Sequence, residues 1–145
     1  MALKEPPPYV SGHNLLQGKS VLITAAAGAG IGFAAATRAA EEGARAVMIS
    51  DIHEERLTRA VRELQSTTGL NAVSGRRADV TSEADVLALV EDAEQCMAGV
   101  DVLINNAGLG GTQRLVDMED AQWSRVLDVT LTGTMRMTRA LSLIH

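Results

Sequence analysis

Residues 20–24 read Ser-Val-Leu-Ile-Thr, an apolar, β-rich run without polar alternation. A strand of this kind has to be covered on both faces, because the side chains on each side of the pleat are ones that leave water. The signature returns at residues 46–50 (Ala-Val-Met-Ile-Ser) and 100–104 (Val-Asp-Val-Leu-Ile), with a weaker run at 71–78. Segments of helical periodicity lie between these runs. Residues 31–42 are Ala-rich and stop at Gly43, a usual helix-ending residue. Residues 53–68 set Leu57, Ala60, Val61 and Leu64 against a charged outer face, the pattern of an amphipathic helix. Ser82 is a candidate N-cap with Asp85 three positions on, close to a capping box, and Val86, Leu89, Val90 and Ala93 carry that helix to about residue 97. Residues 119–145 read as one long helix with an interruption near 130–133. Strands alternating with helices require crossover connections, so the expected fold class is α/β, a doubly wound parallel sheet in three α/β/α layers.

In such Rossmann-like sheets, ligands bind beyond the carboxyl ends of the strands. Four chemistry-bearing segments each follow a strand, and the topology therefore brings them to one edge. The first is the turn Thr24-Ala-Ala-Ala-Gly28-Ala-Gly30-Ile31-Gly32. A pyrophosphate needs backbone N–H groups and a helix N-terminus at close range, and a Cβ would hold it off where the chain passes beneath it. The turn follows a buried strand and opens a helix, which is the context a dinucleotide-binding turn requires. The second is Asp51, with Ile52, closing the second strand. A carboxylate there accepts both hydroxyls of an adenosine ribose and repels a 2′-phosphate, so the expected cofactor is NAD in preference to NADP. Two alternatives stand beside this: Asp51 caps the helix that follows, or Arg45 or Arg56 approaches the ribose. The third segment, Asp79-Val80, is placed to flank an adenine, although Asp before Thr-Ser is also ordinary turn chemistry. The fourth is Asn105-Asn106-Ala107-Gly108. Asparagine satisfies stray backbone groups where strands end, so read alone this run is a turn.

The remaining features narrow the reading. Net charge is −5 over 145 residues, and a mildly acidic chain repels phosphate backbones, which argues against nucleic acid as a partner. No run of about 18 apolar residues exists to span a membrane, and the N-terminus carries no apolar signal core, so a cytoplasmic setting is expected. Cys96 is the single cysteine; it sits in a helical pattern, where a half-buried, inert thiol is expected, and it permits no internal disulfide. Aromatic residues make up 2% of the chain, so the core is expected to be aliphatic. Residues 1–17, with three prolines, form an arm that packs on the domain or on a neighbour, and residues 18–145 form the dinucleotide-binding domain; His13 in the arm is expected to be solvated. Trp123 is assigned to core packing or a subunit contact, and Met118, Met135 and Met137 to core or interface filling. No metal site is indicated.

Together these motifs resemble the short-chain dehydrogenase/reductase family. Its usual pattern is Thr-Gly-x-x-x-Gly-Ile-Gly, an acidic residue closing strand two, Asp-Val after strand three, Asn-Asn-Ala-Gly after strand four and a Trp opening the next helix. This chain shows Gly30-Ile31-Gly32, Asp51, Asp79-Val80, Asn105-Asn106-Ala107-Gly108 and Trp123. The resemblance covers residues 19–145. It implies an NAD(P)-dependent oxidoreductase that interconverts a secondary alcohol and a ketone, with Asn106, Ala107 and Gly108 near the nicotinamide ribose. The Pro-rich arm and Ala-rich turn look similar to actinobacterial reductases acting on acyl thioesters or steroid-derived acids. Pairing of the long helix across a two-fold axis is also implied, so residues 119–145 are expected to make a homo-oligomer contact.

Three departures from the pattern stand out. In the turn, either Ala25 and Ala26 replace the family's Thr and Gly, or Thr24 keeps its role and one residue is inserted; the substitution of the first glycine is tolerated if its φ is negative. Thr130 stands where the family usually carries an active-site Asn that positions a relay water. The family's catalytic Tyr-x-x-x-Lys is not in the chain: Tyr9 is its only tyrosine, and Lys4 and Lys19 its only lysines. No catalytic residue is therefore assigned. The uncapped pattern through residue 145 and the missing fifth strand suggest a C-terminally incomplete piece of a longer enzyme, inactive alone, with an open sheet edge. The alternative is a non-catalytic dinucleotide-binding or regulatory protein.

Overall fold

The computed structural model describes residues 7–110 and 113–143. The strands β1 (Ser20–Ile23), β2 (Ala46–Asp51), β3 (Val73–Arg77) and β4 (Val102–Ile104) alternate with helices α1 (Ile31–Glu41), α2 (Glu54–Thr68) and α3 (Glu83–Met97). A 3-10 turn (Leu115–Asp117) leads into α4 (Asp120–Leu127), a π-helical turn (Asp128–Thr132) and α5 (Gly133–Ser142). The four strands are parallel in the order β3-β2-β1-β4. The direction of winding therefore reverses between β1 and β4, and a crevice opens there, beyond the strand ends.

The lack of alternation in β1 and β2 has the anticipated cause. Val21, Ile23, Val47 and Ile49 point to one face, where Ala36 and Ala39 of α1 and Leu57, Ala60 and Leu64 of α2 cover them. Leu22, Ala46 and Met48 point to the other, against Val86, Leu89, Val90 and Ala93 of α3 and Met137, Ala140 and Leu141 of α5. Successive side chains along a strand alternate in direction, so both faces are apolar and the sheet becomes the middle of three layers. Small residues let the layers approach: a Cβ on Gly75 of β3 would meet Val61 Cγ2 of α2 at 2.7 Å. β4 is only half-buried along its length and pairs with β1 alone among the described residues.

Several expectations change at the level of side chains. The anticipated interruption of the long helix is a π turn, so the chain widens there without leaving the helix. Ser82 does cap α3, accepting from the Asp85 N–H, but the reciprocal half of the capping box does not form. The Ser82 N–H donates to the Asp79 carbonyl, and the Asp85 carboxylate reaches the Asp79 N–H at 3.0 Å. Cys96 is exposed where a half-buried thiol is expected, because α3 turns that face to solvent. Trp123 is 51% exposed and takes no part in the core. Of the methionines, Met137 is fully buried, whereas Met135 is exposed and Met118 intermediate. Ile144 and His145 lie outside the described residues.

Two carboxylates fasten the chain around this sheet. Glu42, at the end of α1, is 3% exposed and accepts the N–H groups of Leu15 (3.1 Å) and His13 (2.7 Å), along with Arg38 Nε (2.9 Å). Those backbone donors, Leu15 first, hold its carboxyl below the usual range. The arm is thereby laid over the end of α1, with the Tyr9 hydroxyl donating to Glu41 and its ring beneath the Arg38 guanidinium. His13 stays exposed. Asp101, just before β4, accepts the Ser20 N–H (2.9 Å), Lys19 Nζ (3.0 Å) and the Ser20 hydroxyl (3.0 Å), tying the amino ends of β1 and β4 together. The Ser20 N–H leads in lowering its carboxyl to about 2. A carboxyl lowered on folding stabilises the fold above its ordinary titration range, and that stabilisation is lost as pH falls towards the folded value. Asp101→Asn is accordingly expected to lower Tm at pH 7. In thermal melts taken as pH falls from about 4 to 2, the gap to the wild type should close.

Candidate dinucleotide site

The site begins at the carboxyl end of β1. Thr24, 1% exposed, turns its hydroxyl towards the end of β4, where Oγ1 accepts the N–H groups of Asn106 and Ala107, both at 3.0 Å. Asn106 returns its side-chain amide to the Thr24 carbonyl (3.0 Å) and the Ala25 carbonyl (2.9 Å). The strand ends on either side of the reversal are thus bolted together. Gly32 packs beneath them: a Cβ there would stand 2.5 Å from Asn106 Nδ2 and 2.9 Å from the Ala25 carbonyl oxygen. Thr24, Gly32 and Asn106 therefore build the floor of the site, and Asn106 satisfies backbone groups at the strand ends.

Gly28 and Gly30 are different. Added Cβ atoms would meet nothing within 4 Å, so packing within the protein does not explain the absence of side chains there. Helix α1 starts at this point with Gly30 as its N-cap. No side chain caps it, and its first turn holds no acidic residue. By contrast, α2 opens with Glu54 and Glu55, and α3 with Glu83 and Asp85 under a Ser82 cap. Helix N-termini favour negative charge. Of the three helices that follow β1, β2 and β3, only α1, which begins at the switch point, supplies none, and its approach is lined by glycine. A pyrophosphate fits that cradle. Ile31, 83% exposed, stands at the rim.

Thr24 makes the bonds just described, and Ala25 follows at φ +52°, a left-handed conformation that glycine adopts freely and alanine does not. Ala25 thus stands where a glycine would be unstrained. The negative φ that would make this substitution strain-free is therefore not met.

A cleft of about 800 Å³ opens alongside, gathering Asp51, Ile52, Asp79, Val80, Ala107 and Gly108 from three different strand ends. Asp51 is 8% exposed; its carboxylate accepts the His53 N–H at 3.0 Å and the Ala27 N–H at 3.4 Å, and it lies 3.5 Å from Arg56 Nη2. It thus makes a local turn ahead of α2 but does not cap that helix, whose N-cap is His53 without a side-chain bond, and it faces the cleft as well. Arg56 is the arginine that reaches this end, while Arg45 points away to the Gly18 carbonyl. Arg56 also lines a second hollow of about 560 Å³ with Gly28, Ala29, Gly30 and Arg59, between α1 and α2. Asp79 Oδ1 accepts the N–H and hydroxyl of Thr81 (2.9 and 2.7 Å), so its carboxylate shapes the turn. Asp85 supports the same turn, and the Asp79 N–H leads in lowering its carboxyl below the usual range.

The far wall consists of Ser124, Arg125, Asp128 and Val129. None of these was singled out from the sequence. They lie in the long helix, and no local signal distinguishes a residue that folds over a remote strand end from any other solvated position. No cluster of metal-binding side chains occurs among the described residues, and no helix there is long and apolar enough to cross a membrane.

A parallel three-layer sheet with a glycine-lined helix start and a buried acid at the end of β2 defines a dinucleotide-binding α/β protein. Comparison with known proteins makes this specific. The family model for short chain dehydrogenase matches residues 19–143, and the chain belongs to that family. It is 52% identical, over 140 residues, to a (5R,7aS)-5-hydroxy-7a-methyl-1-oxo-2,3,5,6,7,7a-hexahydro-1H-indene-carboxyl-CoA reductase of Mycobacterium tuberculosis, covering 97% of this chain and 53% of the relative. A short chain dehydrogenase structure from Mycobacterium smegmatis superposes with a TM-score of 0.88 at 51% identity, covering 94% of this chain and 56% of that one. An actinorhodin polyketide ketoreductase solved with NADPH gives 0.79 at 35% identity, covering 86% and 46%. The chain spans about half the length of the relatives it matches.

Relieving the strain at residue 25 gives a direct check on the turn. Ala25→Gly is expected to stabilise the fold by about 1 kcal/mol, a rise of about 3 °C in Tm, the αL penalty being offset in part by the extra freedom of glycine in the unfolded chain. Calorimetry on the two proteins measures it.

Proposed function

We propose that this chain is the cofactor-binding part of a reductase that interconverts a secondary alcohol and a ketone, with NAD preferred over NADP and a thioester or steroid-derived acid as the substrate class. The uncapped start of α1 above Gly28 and Gly30, beside a buried Asp51, is the observation that carries the reading. Gly28, Gly30, Ile31 and Gly32 hold the pyrophosphate, with Thr24 fixing the turn. Asp51 and Ile52 take the adenosine ribose, Asp79 and Val80 the adenine, and Asn106, Ala107 and Gly108 the nicotinamide side. The bound dinucleotide supplies the hydride. The substrate class rests on the 52% identity to a CoA-thioester reductase. A proton donor of lowered pKa is needed at the substrate oxygen, and the chain holds no Tyr-x-x-x-Lys; alone, it binds dinucleotide without turning substrate over. A single cysteine fits a cytoplasmic setting.

Titration with NADH and NADPH, followed by dinucleotide fluorescence, tests this. NADH is expected to bind at least about tenfold more tightly, a difference of about 1.4 kcal/mol, and Asp51→Ala should narrow the gap. Absence of binding by either up to millimolar concentration sinks the reading. Arg56 supplies the counter-test: if NADPH binds better and Arg56→Ala abolishes that advantage, the NAD preference is wrong.

The same reading includes a homo-oligomer. Trp123, Leu127, Leu131 and Met135 recur every four residues along α4, the π turn and α5, and all are exposed. Residues so spaced share one helix face, and an apolar face of this length in water favours self-association. Light scattering is expected to show a dimer that Leu131→Glu weakens, and a wild-type monomer at micromolar concentration counts against it.

A further inference from the structure

The C-terminal helix touches two walls of the cleft, and it does so at its one irregular turn. Thr130 Oγ1 accepts the backbone N–H of Leu109 at 3.1 Å. Its hydroxyl and methyl both lie 3.7 Å from where a side chain on Gly108 would begin. Two residues earlier, Asp128 accepts Arg136 Nη1 at 2.8 Å, and the same nitrogen donates to the Val80 carbonyl at 3.4 Å. The Arg136 side chain is 19% exposed. Gly133 admits the approach, since a Cβ there would stand 2.8 Å from Val80 Cγ2. Val80 and Gly108–Leu109 belong to the two loops that follow β3 and β4, and both line the cleft.

A π turn adds one residue to a helix and rotates every later side chain by about 100° relative to a regular continuation. Such turns cost hydrogen-bond geometry and recur at functional sites. Here the rotation sets where Gly133 and Arg136 face, while Asp128 and Thr130 within the turn make the contacts to either side. The Thr134 hydroxyl donates to the Thr130 carbonyl at 2.8 Å, providing a partner inside the widened turn.

We propose that the Asp128–Thr132 π turn is a positioning clamp for the dinucleotide cleft, in which Thr130 fixes the Gly108–Leu109 wall and Asp128, through Arg136, fixes the Val80 wall. This rests on the dinucleotide-binding reading above. It gives Thr130 a role in this chain that needs no relay water, since its hydroxyl already accepts the Leu109 N–H. Any side chain with an acceptor at that point can do the same, which separates the clamp from mere space-filling.

NADH titration of the 145-residue chain and its variants tests the clamp, with Tm and circular dichroism confirming that each variant is folded. Thr130→Val keeps the shape and removes the acceptor; it and Arg136→Met are each expected to weaken NADH about tenfold, while Thr130→Ser and Thr130→Asn stay within about twofold. Thr130→Val that binds NADH as the wild type does, or Thr130→Ser that weakens binding as much as Thr130→Val, overturns the proposal and leaves the dinucleotide reading standing. A wild-type chain that binds neither NADH nor NADPH overturns both. Amide exchange on the wild type needs no variant: the Leu109 N–H is expected to exchange more slowly than those of the flanking Gly108 and Gly110, and equal exchange refutes the Thr130 contact.

Discussion

The joint between Thr24 and Asn106 is the interaction on which the rest of the structure depends. In a doubly wound sheet the chain runs outward from β1 to β3, then crosses back to place β4 on the other side of β1. Strand ends at that reversal carry backbone groups that no neighbouring strand satisfies, and a buried group left without a partner costs about 1–3 kcal/mol. Thr24 and Asn106 resolve this reciprocally, the hydroxyl accepting two N–H groups and the amide reaching two carbonyls. The joint fixes the start of the glycine turn, sets the strained φ of Ala25 and brings Gly32 to within a side chain's width of the β4 end. The cleft exists because this seam is closed by side chains and backbone alone, with the space beyond it left open.

Electrostatic provision around the sheet is uneven in an informative way. Helices α2 and α3 bring their own acidic residues to their first turns, and α1 brings none. The amino ends of β1 and β4 are gripped by Asp101, and the end of α1 by Glu42, each carboxylate held charged by backbone N–H groups. At the carboxyl edge of the sheet the carboxylates of Asp79 and Asp85 shape turns, and Asp51 faces the cleft. Negative charge is thus placed where it fastens the fold and shapes turns, and the first turn of α1 is left without it.

Much of this was legible along the chain. The strand runs, the glycine stop after α1, the Ser82 cap and the convergence of four motifs at one edge follow from local pattern and from the geometry of crossover connections. The less legible features all involve a remote partner. Ala25 gives no sign that its φ is positive until Asn106 closes over it. Asp85 looks like half of a capping box and instead serves the Asp79 turn. Trp123 and Cys96 look like candidates for burial, yet the helices carrying them turn those faces outward. Arg56 and Arg45 are alike in sequence, and only the direction of α2 brings Arg56 to Asp51.

The sequence by itself determined the layered parallel sheet, the edge at which ligands gather and the kind of ligand its glycines admit, because period and turn chemistry are encoded within a few residues. Tertiary structure alone decided which residues make up the cleft and which merely hold it together. Asp128, Val129, Arg136 and Thr130 acquire their positions from a helix that returns across the strand ends about 50 residues after β3. Contacts of that separation depend on how whole layers settle against one another, and no local window contains them.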